Sequence, residues 1–250
     1  MAEHLNIGDP ITSDDKPSDD GIIKKYCYDD DSSNCDIYGG LYLWNEAMQY
    51  STEEGAQGIC PSGWHIPRET DIDKMINELK TNSYYYCHGS ENFIAKSMAS
   101  QNYWSNTNEE CEVGYILGLN NSSDFNALST GSFLLPSKEY IYRDYESNWW
   151  TSDLASSMGN PFSFGTAWHI ISNLGQFLAY SGTTYRMAAD TSEVADTSEV
   201  GDDPNDFTTS NYYKGVSLYN NSKGRDDMYV DGFPEWTALP VRCVKDLEIE

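Results

Sequence analysis

Residues 59–71 read ICPSGWHIPRETD, and the reading of this stretch decides the fold. Cys60, Trp64 and His65 fall within six positions, directly ahead of a segment with helical spacing. Two readings compete. Either Cys60 and His65 form a reactive or metal-binding centre, or the stretch is a structural corner that feeds a helix. Behind it Ile72, Met75, Ile76 and Leu79 recur at the period of one helical face. Pro67 suits a first helical turn, and Thr70 with Asp73 has capping-box spacing. The spacing therefore predicts a helix that starts between 67 and 70 and ends near Lys80, where the dipole favours a cation.

Upstream, LYLWNEAMQY at residues 41–50 places Leu43, Ala47 and Tyr50 on one helical face, which predicts an earlier helix. Residues 9–21, DPITSDDKPSDDG, read as a loop, IIKKYCY as a short β-prone run, and DDDSSNC as an acidic turn. Beyond residue 81 come short aromatic runs such as NYWS, NWWTS, AWHII, GVSLY, DMYV and ALPVRCV, broken by Asn, Ser, Gly and Asp. That pattern predicts strands. Helices early and strands late give an α+β class: two early helices packed on a loop-rich antiparallel β region. A single domain is expected over residues 1–250, with an acidic insertion at about 186–235 that carries the direct repeat ADTSEVADTSEV at 189–200.

Forty acidic against 15 basic residues give a formal net charge of -25, which repels phosphate backbones and anionic membrane surfaces. Nucleic acid is excluded as an expected partner. No run of about 18 apolar residues exists, so no membrane span is expected. The six cysteines, at 27, 35, 60, 87, 111 and 243, are even in number and show no CxxC spacing. Three disulfides in an oxidising compartment are the expectation, although the chain shows no export leader. Aromatics make up 14% of residues, with 19 tyrosines, a composition that suits recognition surfaces and ordinary sheets alike.

Five blocks carry a resemblance. YCYDDDSSNCDIYGGLYLWNEAMQY, GICPSGWHIP, NSSDFNALSTGSF, NWWTSD and PVRCVKD occur in that order. They resemble the motifs of the Fibrobacter succinogenes major paralogous domain, over residues 3–246. The resemblance implies an extracellular or surface module with a C-type-lectin-like fold, related in architecture to the formylglycine-generating enzyme, and no catalytic activity is established for such domains as a group. It also implies that Cys60 pairs with Cys243, a closure worth about 5 kcal/mol in the chain-entropy model. The chain departs from the pattern in three places. The family has a strand ahead of the part that matches MAEHLNIG, which implies a first strand missing or supplied by a neighbour. Arg68 stands where a Thr or Ser cap is usual, and the region from Tyr185 to Trp236 is longer than expected.

With Cys60 committed to a bridge, it cannot serve as a nucleophile. Zinc on Cys60, His65, Cys87 and His88 lacks close ligand pairs, and Cys87 pairs more simply with Cys111. His65 then reads as a ring whose nitrogens find backbone partners at the turn. Cys27 and Cys35 bracket YDDDSSN, where a short bridge would contribute about 2.5 kcal/mol. Asp29, Asp30, Asp31 and Asp36 supply oxygen ligands of the type calcium needs, without its usual loop spacing, so the expectation is no cofactor, with calcium at this loop as the alternative to a solvated turn. Asp227, Asp231 and Gly232 in DMYVDG match part of a calcium-loop spacing, with Tyr229 at a ligand position, and the acid-Pro-Asn order of GDDPND resembles the sugar-binding loop of calcium-dependent lectins without the second WND-like block that goes with it. No GxSxG, HExxH or phosphate-loop pattern occurs, although two carboxylates would suffice for a glycosidase.

The sequence thus predicts a non-catalytic binding module with no catalytic residues. It is expected at the cell surface or outside the cell, recognising glycan or protein through aromatic loops around Trp149, Trp150, Trp168 and Tyr185. The alternative is a structural subunit of a filament or layer assembled by strand addition.

Overall fold

The computed structural model describes residues 3–89, 94–154, 212–219 and 228–246, with backbone pairing alone for 212–219 and 228–232. Its elements run β1 (Asp9–Ile11), β2 (Lys24–Tyr26), α1 (Ser32–Tyr38), β3 (Tyr42–Leu43), α2 (Trp44–Ala47), β4 (Trp64–His65), α3 (Glu69–Thr81) and α4 (Ala95–Met98). Strands then dominate: β5 (Ser132–Leu134), β6 (Glu139–Ile141), β7 (Glu146–Leu154), β8 (Tyr212–Tyr219), β9 (Met228–Pro234), β10 (Thr237–Leu239) and β11 (Val244–Lys245). The class is α+β, with the helices in the first half of the chain and most strands of the small sheets in the second.

Those sheets are β3-β10-β5-β6, β7-β8-β9, β4-β11 and β1-β2. The first three are antiparallel, whereas β1 and β2 pair in parallel, which the expected all-antiparallel region did not include. The second half of the expected insertion is also ordered into sheet, because β8 pairs with β7 along its length and with β9 beyond it. Residues 186–211 and 220–227, including the ADTSEV repeat and GDDPND, lie outside the described residues.

α3 matches its periodicity, starting at Glu69 and burying Ile72 and Leu79. The helix expected over 41–50 is one turn only. Tyr42 and Leu43 are instead strand residues facing β10, and positive φ angles at Gln49 and Tyr50 end α2. α1 arises where an acidic turn was expected. Asp31 caps it by accepting from the Ser33 N–H, and the Asp/Ser/Asn composition that favours turns favours caps equally.

β7 organises the interior. Its residues alternate faces, and both faces are buried. Trp149 enters a core with Ile72, Leu79, Met98 and Trp104, while the adjacent Trp150 enters another with Tyr42, Trp44, Ile66 and Leu239. Side-chain hydrogen bonds lock the second core: the Trp150 indole donates to the Tyr42 carbonyl at 2.7 Å, and the Trp44 indole to the Thr151 carbonyl at 2.8 Å. Ser152 completes the clamp by donating its N–H to the Pro67 carbonyl and accepting from the Gly55 N–H, both at 2.8 Å. The NWWTSD and GWHIP blocks therefore hold one another in place.

Candidate functional site

Gly63, with φ +78°, turns the chain into β4, and β4 pairs with β11 so that His65 faces Val244 and Trp64 faces Lys245. Cys60 is bonded to Cys243 just beyond this pairing, so the corner and the end of the chain form one block. α3 leaves that block at Glu69. Between α3 and the β4-β11 pair lies a cleft of about 800 Å³.

The two nitrogens of His65 are held by carboxylates: Nδ1 lies 2.6 Å from Asp246 and Nε2 lies 3.1 Å from Asp71. This corrects the expectation of backbone partners, and the reason is topological, since Asp246 reaches the ring only through the β4-β11 pairing. Asp71 also accepts from the Arg68 N–H at 3.1 Å, the half of a capping box that a carboxylate at the third helical position can supply. Arg68 itself contributes no cap, as its departure from the family pattern implied. Burial pulls the Asp71 carboxyl upward, but the hydrogen bonds from His65 and Arg68 outweigh it and hold it below the usual carboxylate range.

Arg242 forms one wall. Its guanidinium lies 3.9 Å from the centre of the Phe125 ring and donates to the carbonyls of Phe125 and Asn126. Burial pulls it down to about 9. Trp64, Met75, Phe125 and Val244, all half-buried, give the cleft its apolar surface. Among the described residues the lining holds no hydroxyl side chain, and its cysteine, Cys243, is bonded to Cys60. What the cleft offers is ring surface, cations and two carboxylates.

A family model described as Fibrobacter succinogenes major domain matches residues 2–245. The chain belongs to this family. No curated protein and no solved structure matches it. Within the Fibrobacter succinogenes major domain, the blocks that carry the resemblance are the ones that build the corner: GICPSGWHIP supplies β4 and ends one residue before the α3 N-cap, PVRCVKD supplies β11 with Arg242 and Asp246, and NWWTSD clamps them from β7.

The other expected site residues separate. All six cysteines are paired as expected, Cys27 with Cys35, Cys60 with Cys243 and Cys87 with Cys111. Cys87, His88 and Cys111 place possible ligand atoms within 4.8 Å of one another, but the two sulfurs are bonded to each other. Among the described residues Asp29, Asp30, Asp31 and Asp36 do not gather at one point. Asp30 accepts from Ser13 and Tyr140, Asp31 caps α1, Asp29 pairs with Arg143 at 3.6 Å, and Asp36 faces Asn6. Asp231 and Gly232 belong to the ladder of β9 and not to a loop, while Asp227 lies outside the described residues.

Trp149 and Trp150 are corrected most plainly. At 1% and 0% exposure they are core residues, because a strand buried on both faces turns consecutive rings into opposite interiors. Trp168 and Tyr185 lie outside the described residues. Sequence reasoning missed Arg242, Lys245 and Asp246 as neighbours of His65, and the implied Cys60–Cys243 bridge was the signal that joined their two blocks.

Proposed function

We propose that this chain is a non-catalytic binding module of C-type-lectin-like fold, displayed at the cell surface or secreted, whose ligand seat is the cleft between α3 and the β4-β11 pair. The observation that carries the reading is a concave surface of mixed aromatic and charged side chains, built on a corner that a disulfide and two long-range clamps hold rigid. Rigid walls lower the ordering cost of binding. Three disulfides support an oxidising compartment. The adjacency of the first and last segments, where the Leu5 N–H donates to the Val241 carbonyl at 2.9 Å, supports a lectin-like closure of the domain.

The test is amide exchange of the full chain with and without glycans that it retains on an array. Protection at 64–75 and 242–246 supports the reading, and binding that leaves both segments unprotected sinks it. The assembly alternative has less support. Leu5 already bridges Val241 and Gly40, and Tyr42 holds both backbone groups of Ile7, so residues 5–7 are engaged within the chain without a donor strand.

A further inference from the structure

We propose that Cys87, His88 and Cys111 form a zinc site that the Cys87–Cys111 disulfide keeps closed until a dithiol opens it. This site is separate from the α3/β11 cleft and stands whether or not the cleft is the ligand seat. Two sulfurs and one imidazole are a ligand set that zinc favours, and their possible ligand atoms lie within 4.8 Å of one another. Zn–S bonds of about 2.3 Å and Zn–N bonds of about 2.0 Å set the ligand atoms of a tetrahedral site about 3.5 to 3.8 Å apart. Once the S–S bond is broken, shifts on the order of 1 Å bring the three atoms to that spacing.

His88 is already oriented for the role. Its Nε2 lies 2.6 Å from the Glu110 carboxylate. A carboxylate only accepts, so Nε2 carries the proton, and Nδ1 of the neutral ring keeps the lone pair that a metal needs. A carboxylate on one ring nitrogen is the arrangement that orients a histidine whose other nitrogen binds zinc. The His88 and Glu110 side chains are 58% and 59% exposed, so a cation reaches them from solvent.

Access singles out this bridge. Cys27, Cys35, Cys60, Cys111 and Cys243 are buried, whereas Cys87 is half-buried, so Cys87 is the cysteine that an external reductant meets first. One thiolate of the dithiol attacks the Cys87 sulfur, forming a mixed disulfide and expelling Cys111 as thiolate. The second thiol then displaces Cys87, and the reductant leaves as a cyclic disulfide, having supplied two electrons and two protons. Zn²⁺ binds both sulfurs as thiolates and releases those two protons to solvent.

The experiment exposes the full chain to graded dithiothreitol, removes the reductant, maps thiols by alkylation and mass spectrometry, and titrates the product with Zn²⁺. Cys87 and Cys111 are expected to be alkylated first, and zinc to bind one to a chain and protect both from alkylation. The oxidised chain is expected to bind zinc about a hundredfold or more weakly. In the reduced chain His88→Ala and Glu110→Gln, both at exposed positions, should each weaken zinc about tenfold or more. Earlier opening of either other bridge overturns the proposal. So does loss of amide protection across the domain when this bridge alone is open, or equal zinc affinity in the oxidised and reduced chains. An affinity unchanged by His88→Ala also overturns it, since two thiolates alone would then account for the binding.

Discussion

The backbone N–H of Glu69, the first residue of α3, donates to the carboxylate of Asp153 at 2.7 Å, across 84 positions of sequence. A helix whose own N-cap residue is Arg68 is thus capped from β7. One of the four N–H groups that every helix start leaves open is satisfied by a buried carboxylate, whose charge also suits the positive end of the dipole.

Removing that cap should destabilise the domain out of proportion to a surface change. Asp153→Ala is expected to cost about 1 to 2 kcal/mol in urea unfolding, with Asp153→Asn closer to the parent because an amide oxygen still accepts. If both variants unfold with the parent, the distant cap contributes nothing.

Much of this corner was legible, and what was missed has a physical cause. The spacing of Ile72, Met75, Ile76 and Leu79 reports a helix because local geometry alone sets that period. Asp153 as a cap and Asp246 as the partner of His65 are not local, being 84 and 181 residues from the groups they hold. Such contacts follow from sheet pairing, which periodicity cannot see. Trp149 and Trp150 misled for another reason: their neighbours Ser147, Asn148, Thr151 and Ser152 are polar, which suggests a loop, yet all four are buried at 1% exposure or less. Polar residues enter a core where the packing supplies partners, as Ser152 finds in Pro67 and Gly55 and Asn148 in Ser132.

The disulfides should differ in weight. Cys60–Cys243 spans 183 positions and Cys27–Cys35 spans 8, so loop-closure entropy assigns them about 5 and about 2.5 kcal/mol. Paired serine substitutions should therefore lower stability about twice as much at the long bridge. Equal losses would mean that strand pairing at β4-β11 already confines the ends without the bond.

Gly131 should tolerate no side chain. Its φ is +64°, and a Cβ there would collide with the Ile141 carbonyl oxygen and lie 2.6 Å from the Arg143 nitrogen, both backbone atoms that cannot swing aside. Gly131→Ala combines left-handed strain with that collision and is expected to cost at least about 2 kcal/mol. Gly21→Ala, also at positive φ but with open space around the built Cβ, is the control and should cost less. Indistinguishable denaturation midpoints for the two variants would contradict the close approach at Gly131.

His4 should set the upper part of the acid limb of stability. Its ring is buried, Nδ1 lies 3.1 Å from the Tyr38 carbonyl, and Nε2 finds no hydrogen-bond partner among the described residues. Burial first, and then the nearby Arg242 charge, push its pKa down from 6.5 to about 3, against a smaller opposing pull from the Tyr38 carbonyl. The sign follows from proton binding. Above pH 6.5 the ring is neutral in both states, and the stability of burying it is fully present. As pH falls below 6.5 the unfolded chain binds the proton first, so stability declines by up to about 1.4 kcal/mol per pH unit until the folded pKa is reached. Carboxyls held below their usual range, such as Asp71, act on the same limb only at lower pH. Between pH 6.5 and about 4.5 the slope should therefore be steep in the parent and nearly flat in His4→Phe, as read from urea unfolding at each pH. Equal slopes in the two proteins would show that His4 does not carry this dependence, whatever the variant does to stability at neutral pH.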